Sequence, residues 1–344
     1  MKRLYSALAM LLLAGFGGLL LVTFQVNRFM ASPLPVPDDG IEFEIPPGSP
    51  FAAVTNNLVS EGLISNDRWL RLYVRWHDNG GAIQAGNYLI EPGATPKTLI
   101  EQFTNGEVRL YAFTLVEGWN YRGVLQALHA DDAIIATMSD EDWPALLDSL
   151  GATVVHPEGL FLPETYRIPR GTTDRDLLKQ AYALMQKVLA QEWDERSSAS
   201  PTKSPYETLI LASIVEKETA RVDERPKIAG VFARRLTKRM RLQTDPTVIY
   251  GLGPAFDGNL TRKHLKADTP YNTYTRHGLP PTPIAMPGRA AINAALNPED
   301  GTELFFVATG LADGSHKFST TKAEHDAAVA EYLAELRRKR RAGR

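Results

Sequence analysis

The chain of 344 residues is 44% hydrophobic and 23% charged, which excludes a chiefly disordered, collagenous or coiled-coil protein. Its 38 basic and 40 acidic residues leave a formal charge of −2, so overall charge makes no case for a nucleic-acid partner. With 0 cysteines there is no disulfide framework, thiol nucleophile or thiolate metal site, and the 7 histidines form no His-Glu-x-x-His pair of a zinc hydrolase.

An uncharged run from Leu4 to Val26 follows Lys2 and Arg3. At about 1.5 Å of rise per helical residue, about 20 such residues cross a bilayer core. A cleavable signal peptide needs small residues at its −3 and −1 positions, and cleavage after Ala31 would put Phe29 at −3. Residues 4–26 therefore read as an uncleaved transmembrane helix. The charges at the start leave residues 1–3 as a cytoplasmic stub and place the rest outside the cytoplasm. Residues 27–42, with prolines at 33, 35 and 37, read as an extended linker.

Phe43 to Ile45 alternates like a strand that Pro46-Pro47-Gly48 ends. Helical stretches follow near Phe51 to Glu61 and Asp67 to Trp76, then a strand over Gly86 to Ile90 and a helix around Thr95 to Phe103. This unit, residues 43–105, resembles a LysM-like module in pattern, a fold often used to hold N-acetylated glycans; a small spacer domain without a ligand fits the same pattern. A strand is expected over Arg109 to Val116, an aromatic turn over Glu158 to Tyr166 and a long helix over Asp174 to Trp193. The polar loop 197–203 marks an internal boundary.

Ser204-Pro205-Tyr206-Glu207 combines a capping serine, a proline at the first helical position and a glutamate at the third, which starts a helix through Ala220. Helical spacing puts Glu218 on the stripe of Leu211, Ile214, Val215 and Val222. Glu216, roughly 200° around the helix, shares a stripe with Leu209, Ala212, Ser213 and Ala220. A carboxyl set among bulky apolar groups has its pKa raised by desolvation, as a general acid requires. Solvated glutamates paired with Lys217 and Arg221 satisfy the same periodicity. A second amphipathic helix carries Ile228, Val231, Phe232 and Leu236, and Asp245-Pro246 starts another. Loops rich in Tyr, Asn, Thr and Gln suit sugars, because aromatic faces stack on pyranose rings and amides match acetamido groups.

The segments Leu211-Ala-Ser-Ile-Val-Glu-Lys-Glu-Thr219, Arg241-Leu-Gln-Thr-Asp-Pro-Thr-Val-Ile-Tyr250, Tyr271-Asn-Thr-Tyr274 and Gly278-Leu-Pro-Pro281 are similar to those of the endolytic murein transglycosylases, the MltG/YceG-like group. The turn from Glu158 to Tyr166 and the strand Leu304 to Ala308 also fit, so the resemblance covers nearly the whole chain. Arg234 stands where the family usually has asparagine and Glu164 where it usually has aspartate. The resemblance implies cleavage of the MurNAc–GlcNAc β-1,4 bond of peptidoglycan without water, leaving 1,6-anhydro-MurNAc ends, on nascent strands during wall synthesis. It implies Glu218 as the catalytic acid and base, with Gln243, Asp245, Tyr250, Asn272 and Tyr274 lining the cleft. It calls for no cofactor and no metal, and for peptidoglycan, the membrane and peptidoglycan synthases as partners. The location implied is the bacterial inner membrane, with the catalytic part on the periplasmic side. A hydrolytic muramidase with Asp245 as second carboxylate, a non-catalytic glycan-binding scaffold and a Ser213–Lys217 hydrolase are the alternatives.

The fold class expected is α+β: the transmembrane helix, the LysM-like unit, a larger, mostly helical catalytic domain with short strands over 106–336, and a basic tail over 337–344. The tail, Arg337 to Arg341 with Arg344, reads as a solvated helix end, where cations suit the helix dipole.

Overall fold

The structure, a computed structural model, describes residues 2–77 and 83–342. Met1, at the start of the expected stub, and the last two residues of the basic tail lie outside the described residues. The chain forms two compact units: residues 1–111 with 167–171, and residues 112–166 with 172–344.

In the first unit, α1 (Lys2–Met30) precedes β1 (Ile41–Ile45), α2 (Phe51–Ser60), α3 (Arg68–His77), β2 (Gly86–Ile90), α4 (Pro96–Asn105) and the start of β3 (Leu110–Thr114). The strand–helix–helix–strand order matches the sequence reading. β1 and β2 pair antiparallel with Phe43 opposite Tyr88. Strand geometry sends alternate side chains to opposite faces, so Phe43 and Ile45 are buried while Glu42 and Glu44 face solvent. Phe43 stacks on Phe103 of α4 at 5.6 Å between centroids, and Tyr88 tilts against the same ring at 4.7 Å. α4 begins with a reciprocal capping box between Thr95 and Thr98 and ends at Gly106, whose left-handed φ of 67° lets the chain turn away.

The linker expected over 27–42 does not stand off the unit. α1 continues to Met30, Met30 and Leu34 are buried in the core, and the Leu34 N–H donates to the Ala94 carbonyl at 2.8 Å. The apolar side chains of 34 and 36 find cover on the unit, which outweighs the extended preference of the prolines.

The second unit holds the rest of β3, then α5 (Tyr121–Ala130), β4 (Ile134–Ile135), α6 (Trp143–Ser149) and the start of β5 (Thr165–Pro169). It resumes with β6 (Thr172–Thr173), α7 (Asp174–Asp194), α8 (Pro205–Glu218), α9 (Arg225–Thr237), α10 (Asp245–Leu252) and α11 (Arg262–Lys266). It closes with α12 (Arg289–Leu296), the antiparallel hairpin β7 (Phe305–Ala308) and β8 (His316–Ser319), and α13 (Lys322–Ala342). α8 lies at the centre, packed against α7, α9, α10 and α12, and every residue from Thr208 to Val215 is buried. The described part of the basic tail is no separate segment: it forms the last turns of α13, where the Glu335 carboxylate pairs with Arg338 at 2.7 Å.

Candidate active site

α8 starts as its sequence dictates: the Ser204 hydroxyl accepts the Glu207 N–H at 3.2 Å, and Pro205 occupies the first turn. It stops earlier than the periodicity predicts. Glu218 is its last residue, and Thr219 turns extended at φ −146°, ψ 135°. Val222, expected on the Glu218 stripe, lies beyond the helix on a short 3₁₀ turn and is 60% exposed. Glu216, Lys217 and Glu218 therefore occupy the final turn. Two carboxylates at the negative end of a helix dipole are disfavoured in their charged form.

Glu218 accepts a hydrogen bond from the Thr244 hydroxyl, and burial is the main cause of a carboxyl pKa above the usual range. The Thr244 bond and the nearby Arg235 guanidinium oppose that rise, whereas the Asp245 carboxylate adds to it. Arg235 is itself buried, donating to the Leu304 and Leu242 carbonyls at 2.7 Å each. Thr244 is fixed in turn. Its N–H donates to the Thr273 hydroxyl at 3.1 Å, and the neighbouring Gln243 N–H donates to the Thr273 carbonyl at 3.2 Å. Gln243 takes a left-handed φ of 53°, a strained conformation for a residue with a side chain, on the approach to Thr244.

Asp245 and Tyr274 lie close enough to Glu218 for their charges to interact, while Gln243 is joined to this group through its backbone bond to Thr273 and Asn272 through Tyr274. The Tyr274 hydroxyl donates to Asp245 at 2.6 Å. Asn272 is buried and spends its amide hydrogens inside the loop, on the carbonyls of His264, Leu265 and Ala267 at 2.6–3.2 Å. Its side-chain carbonyl oxygen accepts the Tyr274 N–H at 2.9 Å, so Asn272 holds the backbone at Tyr274.

Tyr250 stands in an adjoining cleft of about 680 Å³, with Trp119, Asn120, Arg122, Gln126 and Lys217 among its lining residues. Behind Tyr250 lies a carboxyl that the sequence reading passed over as part of an aromatic turn. Glu158 is fully buried, both its oxygens face the Tyr121 N–H at 3.2 and 3.3 Å, and it accepts the Tyr250 hydroxyl. Burial pushes its pKa up to about 7. The turn is pinned because a Cβ on Gly159, at φ 78°, would come within 2.5 Å of Pro283. The available signal was a lone glutamate beside the apolar run Leu160-Phe161-Leu162.

Glu216 differs most from expectation. It is not on a solvated stripe: its side chain is 5% exposed, it pairs with Arg225 at 2.6 Å and it accepts the Gly288 N–H at 3.1 Å. Arg225 also reaches Glu117 at 3.2 Å, and the two carboxyls sharing one cation add to the burial that raises the Glu216 pKa. A Cβ on Gly288 would meet the Glu117 carboxylate, which would have to swing away from Arg225. The hydrolase alternative finds no dyad. Ser213 is fully buried, donating to the Ile210 carbonyl at 2.8 Å and accepting the Ile284 N–H at 3.0 Å, while Lys217 Nζ donates to the Gly118 carbonyl at 3.2 Å.

The sequence profile of the YceG-like family matches residues 43–331. The chain belongs to the YceG-like family. A relative from Bacillus subtilis named endolytic murein transglycosylase is 32% identical over 86% of this chain and 85% of its own length. One of the same name from Streptococcus pneumoniae is 29% identical over 84% of this chain and 58% of its own. The crystal structure of a yceG-like protein from Listeria monocytogenes covers 85% of this chain and 99% of its own, with a TM-score of 0.55 and 28% identity. In this YceG-like chain Arg234 serves the scaffold, donating to the Glu303 and Glu299 carbonyls at 2.7 and 2.8 Å. Glu164 accepts its neighbour's N–H, from Thr165, at 2.9 Å.

Proposed function

We propose that this chain is a peptidoglycan lytic transglycosylase that cleaves the MurNAc–GlcNAc β-1,4 bond within glycan strands and leaves 1,6-anhydro-MurNAc ends. The observation that carries the reading is Glu218: a desolvated carboxyl at the end of a buried helix, in a chain whose relatives bear the transglycosylase name. A carboxyl kept protonated by burial can give its proton to the leaving GlcNAc oxygen. The bond from MurNAc C1 to that oxygen breaks, and the substrate's acetamido group stabilises the positive anomeric carbon. The glutamate then takes the proton of the sugar's own 6-hydroxyl as O6 bonds to C1. The proton count closes without water, and one carboxyl serves both halves. A conventional glycosidase would need two.

Asp245 supports a second reading, a hydrolytic muramidase, because its charge is felt at Glu218. The Tyr274 hydroxyl occupies one of its oxygens, which fits a supporting role better than that of a base for water. Mass spectrometry of products from purified wall separates the two readings: anhydro ends support transglycosylation and reducing ends overturn it. Glu218→Gln should lower turnover by about 10²–10⁴-fold, the usual worth of general acid–base catalysis, with glycan binding retained. Unchanged turnover would leave the scaffold reading in place.

The anchor reading rests on α1, whose large apolar side chains from Leu4 to Phe24 are mostly more than half exposed, a surface that water disfavours and lipid accepts. The positive charges at its start support an orientation with both units outside the cytoplasm, on the periplasmic side, within reach of the wall and its synthases. The first unit, LysM-like in element order, would hold glycan for the second. Deleting residues 43–105 should weaken action on polymeric glycan without changing the bond cleaved.

A further inference from the structure

We propose that α3 lies in the phospholipid headgroup layer beside α1, so that the first unit is seated on the membrane surface, its Arg68, Arg75 and Trp76 contacting lipid phosphates and the upper acyl chains. The inference rests on the reading of α1 as a membrane span and goes beyond it: an anchor alone leaves the unit free to stand away from the bilayer.

The argument begins with depth along α1. About 20 residues cover the hydrocarbon core, so a span that begins near Leu4 reaches its far edge near Thr23. α1 nonetheless runs on unbroken to Met30, and Arg28 is exposed just past the apolar run. Val26 and Met30 are buried in the core of the first unit, and Val22 and Phe29 pack against that core. Val22 belongs to the apolar run itself. It lies six residues, roughly 9 Å of helical rise, before Arg28. Packing of the unit on α1 therefore starts at the edge of the hydrocarbon, and no flexible segment separates the two. Whatever part of the unit covers Val22 and Val26 must sit at the interface.

α3 packs directly on α1, and α4 joins it. The composition of α3, Arg-Trp-Leu-Arg-Leu-Tyr-Val-Arg-Trp-His, suits that position. Leu70 and Val74 point into the core, Trp69, Leu72 and Tyr73 are half-buried against it, and the helix contains no acidic residue. Arg68 and Arg75, seven residues and so about two turns apart, are exposed on one face. Trp76 beside them is 46% exposed. Arg71 is already engaged, with Asp67 at 2.6 Å and Asn56 at 2.9 Å, and is not counted among the lipid contacts. Tryptophan and tyrosine favour the headgroup level because their rings are apolar with one polar edge, while arginine pairs with phosphate there. Exposed in water, Trp76 would leave apolar surface uncovered; at the interface both it and the two guanidinium groups are matched.

The test uses the full chain reconstituted in vesicles of phosphatidylcholine and phosphatidylglycerol whose acyl chains carry bromine either near the headgroup or near the bilayer centre. The chain has 5 tryptophans, so Trp76→Phe identifies the share of emission that belongs to this site. Shallow bromine should quench that share more strongly than deep bromine, and total shallow quenching should fall in Trp76→Phe, leaving only what the half-buried Trp69 of the same helix contributes. Arg68→Glu with Arg75→Glu should reduce the shallow quenching and move the Trp76 emission to longer wavelength, because like charge repels the phosphates. The exposure of Trp76, Arg68 and Arg75 makes these substitutions safe for folding, which circular dichroism checks. Quenching that is the same in Trp76→Phe, with the protein still held by the vesicles through an alkaline wash, would overturn this inference and leave the anchor standing. Release by the wash would overturn the anchor reading, and this one with it.

Discussion

Replacing Glu216 by glutamine separates the structural carboxyl of α8 from Glu218, the one proposed as catalytic. Removing one member of a buried ion pair typically costs about 3–5 kcal/mol, because the other charge is left desolvated and alone. Here the loss is smaller for two structural reasons. The glutamine oxygen can still accept from Arg225 or from the Gly288 N–H, and Glu117 remains 3.2 Å from the same guanidinium nitrogen. What disappears is the charge on a strong hydrogen bond, worth about 1.5–3 kcal/mol. For a domain of this size each kcal/mol moves Tm by about 2–4 °C, so a fall of roughly 3–12 °C is expected. Arg225→Met should lower Tm further, since it leaves Glu216 buried without a cation beside Glu117. Calorimetry gives Tm, and release of muropeptides from purified wall, normalised to folded protein, gives turnover. Glu216→Gln should keep turnover within a few-fold of the wild-type chain. A folded Glu216→Gln with unchanged Tm and turnover down by two orders of magnitude or more would refute the reasoning and move the acid from Glu218 to Glu216.

Turnover should be full below the raised pKa of Glu218 and fall as pH rises through it, because the first step needs the protonated carboxyl; a rate that climbs across that window would contradict the assignment. Glu158 has a folded pKa of about 7 against an unfolded value near 4.5, so the fold binds its proton more tightly than the unfolded chain does. Its stabilising contribution is complete below about pH 4.5 and is lost as pH rises through about 7. The difference in denaturation midpoint between the wild-type chain and Glu158→Gln should follow that pH course, and a difference independent of pH would argue against a protonated Glu158. Ser213→Ala leaves the buried Ile284 N–H without its acceptor and should cost about 1–3 kcal/mol in urea melts while sparing turnover; an inactive variant of normal stability would bring back a serine nucleophile.

Several features of this protein are local, and the sequence alone carried them. The uncharged run of α1, the Ser204-Pro205 start of α8 and the alternation that buries Phe43 opposite Tyr88 each depend on neighbours within a few residues. The motif segments 211–219, 241–250 and 271–274 likewise marked out the pieces that converge on Glu218. Helical period favoured Glu218 over Glu216 by its bulkier apolar stripe, but it could not show that Glu216 is enclosed as well. It describes an amphipathic helix with one wet side, and α8 is enclosed by α7, α9, α10 and α12, so it has no such side to read. α12 itself is short, and its buried face is mostly alanine, too weak a pattern to announce the element that covers α8. The end of α8 at Glu218, the partners of Glu216 and the burial of Glu158 were decided by tertiary contacts. Glu216 meets Gly288 72 residues away and Glu158 meets Tyr121 37 residues away. A carboxyl's pKa follows from the solvent it has lost and the charges around it, and for these glutamates both are set by chain segments remote in sequence.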